Sequence, residues 1–334
     1  MLRLVLQRLA LLVPTLLGLS VLLFLWVRAL PGGPATALLG ERATPAEVAR
    51  VNALYGFDRP LPEQYLTWLG QLLQGNFGVS TRTGTPVLQE FWLRFPATIE
   101  LTLMALLFAV GVGIPLGYLA ARHQGRALDH VTVGVSLLGV TIPVFFLAFL
   151  LKWVFAVQLG LLPSAGRLSS SMIATHPTNF YVLDGLLTRE WDAAWDALQH
   201  LVLPAVALGS IPLAIIARIT RASVIEVQNA DYVRTARAKG LRPSRLRRRV
   251  VLRNAMLPVA TTIGLQVGLL LSGAVLTETV FAFNGIGSFL ATAIFSLDYA
   301  VLQGFILFIA VIYALANLAV DVSYGLIDPR MRAR

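Results

Sequence analysis

Few side chains in this sequence could do chemistry. The two lysines are Lys152 and Lys239, and neither stands between a glycine and a Ser or Thr. A P-loop needs that arrangement because its ammonium must reach the terminal phosphates of a nucleotide. The chain is therefore expected to hydrolyse no ATP itself. The four histidines, His123, His130, His176 and His200, include no His-x-x-x-His pair, and there is no cysteine. No metal site is expected, and disulfides and thiol catalysis are excluded. Ser272-Gly273 is the nearest approach to a hydrolase nucleophile turn, but it lacks the preceding glycine. Small residues packing a helix interface are the expected role there.

The remaining polar residues stand out because of where they lie. Gln266, Thr277 and Glu278 sit in an otherwise apolar run. Such groups are costly in lipid and should face protein or water. They are candidates to line or gate a path. Glu278 could also hold an amine, or be a plain carboxylate at the membrane boundary. Gly113 and Gly117, like Gly264 and Gly268, form small-xxx-small pairs that let helices approach closely. The third feature is "ADYVRTARAKGLRPSRLRRRVVLRNAMLP" at 230–258, an arginine-rich segment between two greasy runs.

The elements that must position these residues are membrane helices. Of the 334 residues, 57% are hydrophobic and 13% charged, against about 45–50% and about 25% in soluble domains. Runs near the roughly 20 residues needed to cross a bilayer lie at 9–27, 98–121, 131–157, 201–217, 258–281 and 301–326. The first is longer than a signal-peptide core and is expected to be a retained helix. Placing the N-terminus inside puts eighteen of the 27 Lys and Arg residues in cytoplasmic segments, as the positive-inside rule requires. Both termini are then cytoplasmic. The net charge of +10 is read as topology, not as nucleic-acid binding. Pro115 and Pro143 should kink the second and third spans, and Lys152 should snorkel to the outer interface.

Two extracytoplasmic segments follow. In 31–96, Thr44-Pro45-Ala46-Glu47 reads as an N-cap, a first-turn proline and a capping-box glutamate. Val48, Val51 and Tyr55 share a face, and Gly56 ends that helix. A second amphipathic helix covers 62–74, with Tyr65, Leu69 and Leu72 on one face, and Thr85-Pro86 starts a third. The segment 159–200 ends in "WDAAWDALQH", expected as an interfacial helix with Trp191 and Trp195 toward the membrane.

The basic segment reads as helix, glycine turn, helix. Asp231, Tyr232, Arg234, Thr235, Ala236, Ala238 and Lys239 are helix-compatible, and Gly240 sits where the chain must turn left-handed. Pro243 and Ser244 suit the start of a second helix, with Leu246, Val250 and Leu257 on one face and Arg245, Arg248 and Arg249 elsewhere. Its charge alone supports contact with anionic lipid. A nucleic-acid-binding helix-turn-helix is disfavoured because both ends are tied to spans. Docking of a cytoplasmic protein is the third reading.

"DYVRTARAKGL" followed by "LRNAMLP" resembles the EAA loop of ABC importer permeases, within the family for dipeptides, oligopeptides, nickel and glutathione, B-type subunit. Mapped back from Gly240, the Glu-Ala-Ala positions are Arg234, Thr235 and Ala236, of which only Ala236 matches literally. "GFDRPLPEQYLTWL", "GNFGVS", "GLLPSAGR", "FYVLDGLL", "IGLQVGLLLSGAVLTETVF", "GIGSFL" and "YGLIDPRMR" extend the resemblance over nearly the whole chain.

The resemblance implies an all-α integral membrane protein of the type I importer permease fold. It divides into an N-terminal membrane helix at 1–30, a folded loop at 31–96, a permease core at 97–326 and a cytoplasmic tail at 327–334. It implies a bacterial inner-membrane location, a second homologous permease, two ATP-binding subunits that hold ATP and Mg, and an extracytoplasmic solute-binding protein. The segment 231–240 becomes the coupling helix that seats on an ATPase. Dipeptides or short peptides are the expected cargo, with nickel, glutathione or another small solute as alternatives. An ion-driven secondary transporter would show paired halves, and no second copy of the first half is present.

Overall fold

A computed structural model of the protein describes residues 2–29, 33–40 and 43–327. The described residues form helices and no strand beyond a single bridge between Val79 and Pro86. The expected tail at 327–334, with Arg330, Arg332 and Arg334, lies outside the described residues after Ile327.

The chain divides into two compact units. The first takes residues 1–95 and 285–315. Its α1 (Leu2–Arg28) is the first apolar span. After α2 (Gly33–Leu39) come α3 (Pro45–Tyr55) and α4 (Leu61–Leu73). The α3 capping box forms as expected: Glu47 N–H donates to Thr44 Oγ1, and Thr44 N–H donates to the Glu47 carboxylate. Gly56 closes α3 at φ +69°. Replacing Thr44 by alanine should cost about 1 kcal/mol of local stability, read as about fivefold faster amide exchange across α3 with exchange in α4 unchanged.

α5 (Val87–Arg122) begins in this unit. The helix expected to start at Thr85-Pro86 is therefore not separate but the front of the second span. Nothing after Pro86 stops the helix, since Pro96 and Pro115 lie inside α5 without ending it. α13 (Ile286–Phe295) and the first part of α14 (Tyr299–Ile327) complete the unit around Val87, Phe91, Phe289, Val301 and Phe305. Asp298 caps α14 and accepts the Ser80 hydroxyl at 2.6 Å.

The second unit takes residues 96–284 and 316–334. α9 (Trp191–Gln228) runs through its centre. The "WDAAWDALQH" stretch is not an independent interfacial helix; it forms the first turns of α9. Its alanines Ala193, Ala194 and Ala197 are buried, and this small-residue face packs inward, keeping the stretch in line with the span. Trp191 and Trp195 are exposed.

The third span departs most from its expected form. α6 (Ala127–Thr141) and α7 (Val144–Leu151, continuing as a π-helical segment Lys152–Gln158) meet at 104°. Pro143 is the cause: it removes an amide donor and pushes Ile142 into extended backbone, with ψ 123°. Among the described residues, five helices are long and apolar enough to cross a membrane, and six spans are reached when the bent pair counts as one. Lys152 is held at the C-terminal end of the helix Arg253–Val280. Its ammonium donates to Val280 O at 3.0 Å, where orphan helix-end carbonyls favour a cation.

Candidate functional site

After α9 the chain makes α10 (Asp231–Ala238), a left-handed turn, then α11 (Pro243–Arg245), a π-helical segment (Leu246–Leu252) and α12 (Arg253–Val280). The turn is built around Gly240 at φ +77°. Gly240 N–H donates to Arg237 O and Leu241 N–H to Ala236 O, the paired bonds of a glycine-terminated helix. Pro243 occupies the first turn of the next helix, as expected, but its N-cap is Arg242 and Ser244 makes no cap.

α10 is held chiefly by one side chain. Val233 is 1% exposed and packs with Ala121, Val224, Leu246, Val251 and Ala255. Ala236 is half-buried against the same cluster. Asp231, Tyr232, Arg234, Thr235, Ala238 and Lys239 all face outward. The helix therefore offers a full polar face while Val233, with Ala236 beside it, fixes it to the ends of α5, α9 and α12. Sequence reasoning passed over Val233. Its signal was a lone aliphatic residue in an otherwise polar helix.

The π turn corrects the expected face of the second helix. Leu246, Val251, Ala255 and Val259 are buried, whereas Val250 is half-buried and Leu257 is exposed. An i→i+5 turn inserts one residue per turn, so the buried positions step by five and then by four, and Leu257 rotates outward. Arg245, Arg248 and Arg249 are exposed, as read from the sequence.

The polar residues of α12 are enclosed by protein. Gln266 is buried. Thr277 is fully buried and its hydroxyl has no hydrogen-bond partner among the described residues. Glu278 is 0% exposed and its carboxylate accepts the Thr98 hydroxyl at 2.6 Å. The segment after α7 covers this end of α12. Gly166 N–H donates to Phe281 O at 2.8 Å. Arg167 donates to Glu100 at 2.6 Å and to Asn179 O at 2.7 Å, and its guanidinium stacks 3.7 Å from the Tyr181 ring. Glu100 also accepts Val182 N–H, the second residue of α8 (Tyr181–Leu187). Thr98, Glu100 and Arg167 were not singled out in the sequence, although Thr98 and Glu100 are polar residues at the very start of an apolar run.

The same segment is tied to α9 through Glu190. The Thr175 amide donates to the Glu190 carboxylate and is the main reason its pKa lies below the usual value; the Thr175 hydroxyl adds a second bond. A depressed carboxylate stabilises the fold above its ordinary titration range, and that contribution is lost as pH falls through the lowered value.

Glycines set the helix spacing. A Cβ at Gly117 would stand 2.3 Å from Ala217 O, and one at Gly113 would stand 3.0 Å from Leu213 O. Gly264 and Gly268 are both buried in α12. At the other end of α9, Arg221 pairs with the buried Asp129 of α6 through two nitrogens. Among the described residues no cluster of potential metal ligands is found.

Residues 113–333 match the family described as binding-protein-dependent transport system inner membrane component, and residues 1–102 match that family's N-terminal region. A di/tripeptide transport system permease of Pseudomonas aeruginosa is 46% identical over 334 residues, covering 99% of each chain. Dipeptide transport system permeases of Escherichia coli K12 and Alkalihalophilus pseudofirmus are 44% and 41% identical, covering 99% of this chain and 99% and 100% of theirs. Among solved structures, the inward-facing methionine ABC transporter aligns over 70% of this chain and 93% of its own, with TM-score 0.51 and 17% identity, which shows a shared fold.

Proposed function

Because the chain belongs to the family of binding-protein-dependent transport inner membrane components, the permeases of ATP-driven importers, we propose that it forms half of the pore of an importer for dipeptides or short peptides. It is a component of the bacterial inner membrane. The observation that carries the cargo class is identity of 41–46% over the full length of peptide-transport permeases. In this reading both termini are cytoplasmic, and 31–96 and 159–200 face the other side. A second homologous permease completes the pore, and a solute-binding protein delivers the peptide.

Two ATP-binding subunits hold ATP and Mg and take up the outward face of α10. The physical support is the way α10 is built: terminated at Gly240 and fixed through Val233 onto Leu246, Val251 and Ala255 of the unbroken run from α11 through the π segment to α12. A push on α10 then reaches α12 without passing through a slack loop, and a ligand shifts an equilibrium only through contacts that differ between its states. Nickel, glutathione and other small solutes remain alternative cargoes for the same machine.

The test is co-purification followed by uptake. The tagged chain, extracted gently, should bring with it a P-loop ATPase and a second permease. The reconstituted assembly should take up a labelled dipeptide only with ATP and the binding protein. A chain that comes out alone after crosslinking would overturn the reading.

Glu278 gives a second test. We assign the Thr98–Glu278 contact to the closed state of the external end of the path. Glu278→Gln keeps the size but replaces a charge-capable acceptor by a neutral one, so peptide uptake should change by about fivefold and its pH profile should flatten. Uptake with unchanged rate and pH dependence would show that Glu278 has no part in gating.

A further inference from the structure

The first unit holds a cavity of about 610 Å³ that the transport reading does not use. Its walls come from the end of α1, the α3–α4 turn, α4, the stretch after α4 and the start of α14. Arg28, Arg59, Gln64, Phe57, Trp68 and Tyr299 are the lining residues that matter here. Two are guanidinium groups, and among the described residues that line the cavity none is acidic.

Arg28 is set in place. Its Nε donates to Gln64 Oε1 at 2.7 Å, one Nη1 hydrogen reaches Phe24 O at 3.3 Å, and the guanidinium lies 3.3 Å from the Phe24 ring centre. Gln64 is itself buried and fixed, donating to Phe57 O at 2.9 Å and to Arg59 O at 2.7 Å. The remaining Arg28 donors find no protein acceptor among the described residues and border the cavity. The Arg59 side chain folds back over Gly56, where a Cβ would stand 3.1 Å from Arg59 Nε. Gly56 thus serves both the end of α3 and the position of a second cation.

The cavity lies where two membrane helices reach the boundary: Arg28 is the last residue of α1, and Tyr299 is the first of α14. Trp26 and Tyr299 meet edge to face at 6.4 Å, as aromatic side chains do at headgroup depth. Leu22, Leu25 and Trp26 are exposed on α1 beside it. Two cations with no carboxylate among the described lining residues do not suit a zwitterionic peptide, whose ammonium would need an acid. They suit a phosphodiester, with arginine giving paired donors to its oxygens and the exposed apolar side of α1 meeting its chains.

We propose that this cavity binds the headgroup of an anionic phospholipid, such as phosphatidylglycerol, from the leaflet at the C-terminal end of α1. The test uses the full transporter in nanodiscs of phosphatidylcholine with a minor fraction of phosphatidylglycerol. Lipid retained through mild delipidation is then measured by mass spectrometry. Phosphatidylglycerol should be retained in preference to phosphatidylcholine. Arg59→Gln should lower its retention by about fivefold; this variant keeps the Arg59 carbonyl that Gln64 uses, so the fold is spared. Arg28→Lys, which keeps the charge but not the fork, should lower retention less than Arg28→Gln. No preference for the anionic lipid, or equal retention in Arg59→Gln, would overturn the proposal. So would displacement by a short peptide, or by glycerol phosphate at matching concentration, the latter assigning the site to a free phosphate.

Discussion

Gly240→Val is expected to leave the protein in the membrane and to reduce ATP-driven uptake by about tenfold or more. Gly240 holds φ +77°, and a Cβ there would meet nothing within 4 Å. The cost is therefore backbone strain and not collision. An L-residue in that region costs roughly 1–2 kcal/mol, more when β-branched. The strained turn escapes by unwinding the end of α10, which breaks the bonds from Gly240 to Arg237 O and from Leu241 to Ala236 O. The outward face of α10 then loses its fixed direction, and with it the seat proposed for the ATPase. Asparagine tolerates the left-handed region, so Gly240→Asn should keep much of the uptake. Co-purification of the ATPase and uptake in proteoliposomes measure the two arms. Unaltered association and transport in Gly240→Val would remove α10 from the coupling role.

Gly117→Val is expected to remove the protein itself. Here the obstacles are the backbone oxygen of Ala217, 2.3 Å from the added Cβ, and the Thr220 Cβ rooted on the same helix, at 2.8 Å. Neither can swing aside, because both belong to α9, the central helix of the second unit. Overpacking a well-filled contact costs about 1–3 kcal/mol and more when a helix must be displaced. That is a large share of a typical domain's stability of about 5–15 kcal/mol. The variant should melt well below the native protein in detergent and accumulate poorly. Gly111 gives the matched control, since a Cβ there meets nothing within 4 Å, and Gly111→Val should melt near the native temperature. Equal melting of the two variants would show that the α5–α9 approach is not a tight one.

The parts of the fold that were legible in the sequence are those that depend on near neighbours. Apolar runs mark the spans, Thr44 and Glu47 mark a helix start, and Gly56 and Gly240 mark ends, because each signal acts within a few residues. The π turn was hidden because Val250, Val251 and Leu252 are all apolar, so a step of four and a step of five look alike. Pro143 announced a bend but not its size, which depends on how both arms pack. The pairing of Thr98 with Glu278, 180 residues apart, and of Asp129 with Arg221, 92 apart, has no local trace. The same holds for the covering of α12 by Gly166 and Arg167, which joins segments that share no pattern.

The bend at Pro143 also constrains how the protein is made. α6 has 15 residues, about 22 Å of helix, short of the roughly 30 Å hydrocarbon core. Neither arm can be handed to the bilayer as a finished span, and the broken backbone at Ile142 cannot rest against lipid alone. The surface that shelters it belongs to α9, where Gly139 faces Ala214 and Ser210, some seventy residues further along the chain. The order of synthesis thus leaves α6 and α7 waiting for a later helix, and the insertion machinery must shield them until it emerges.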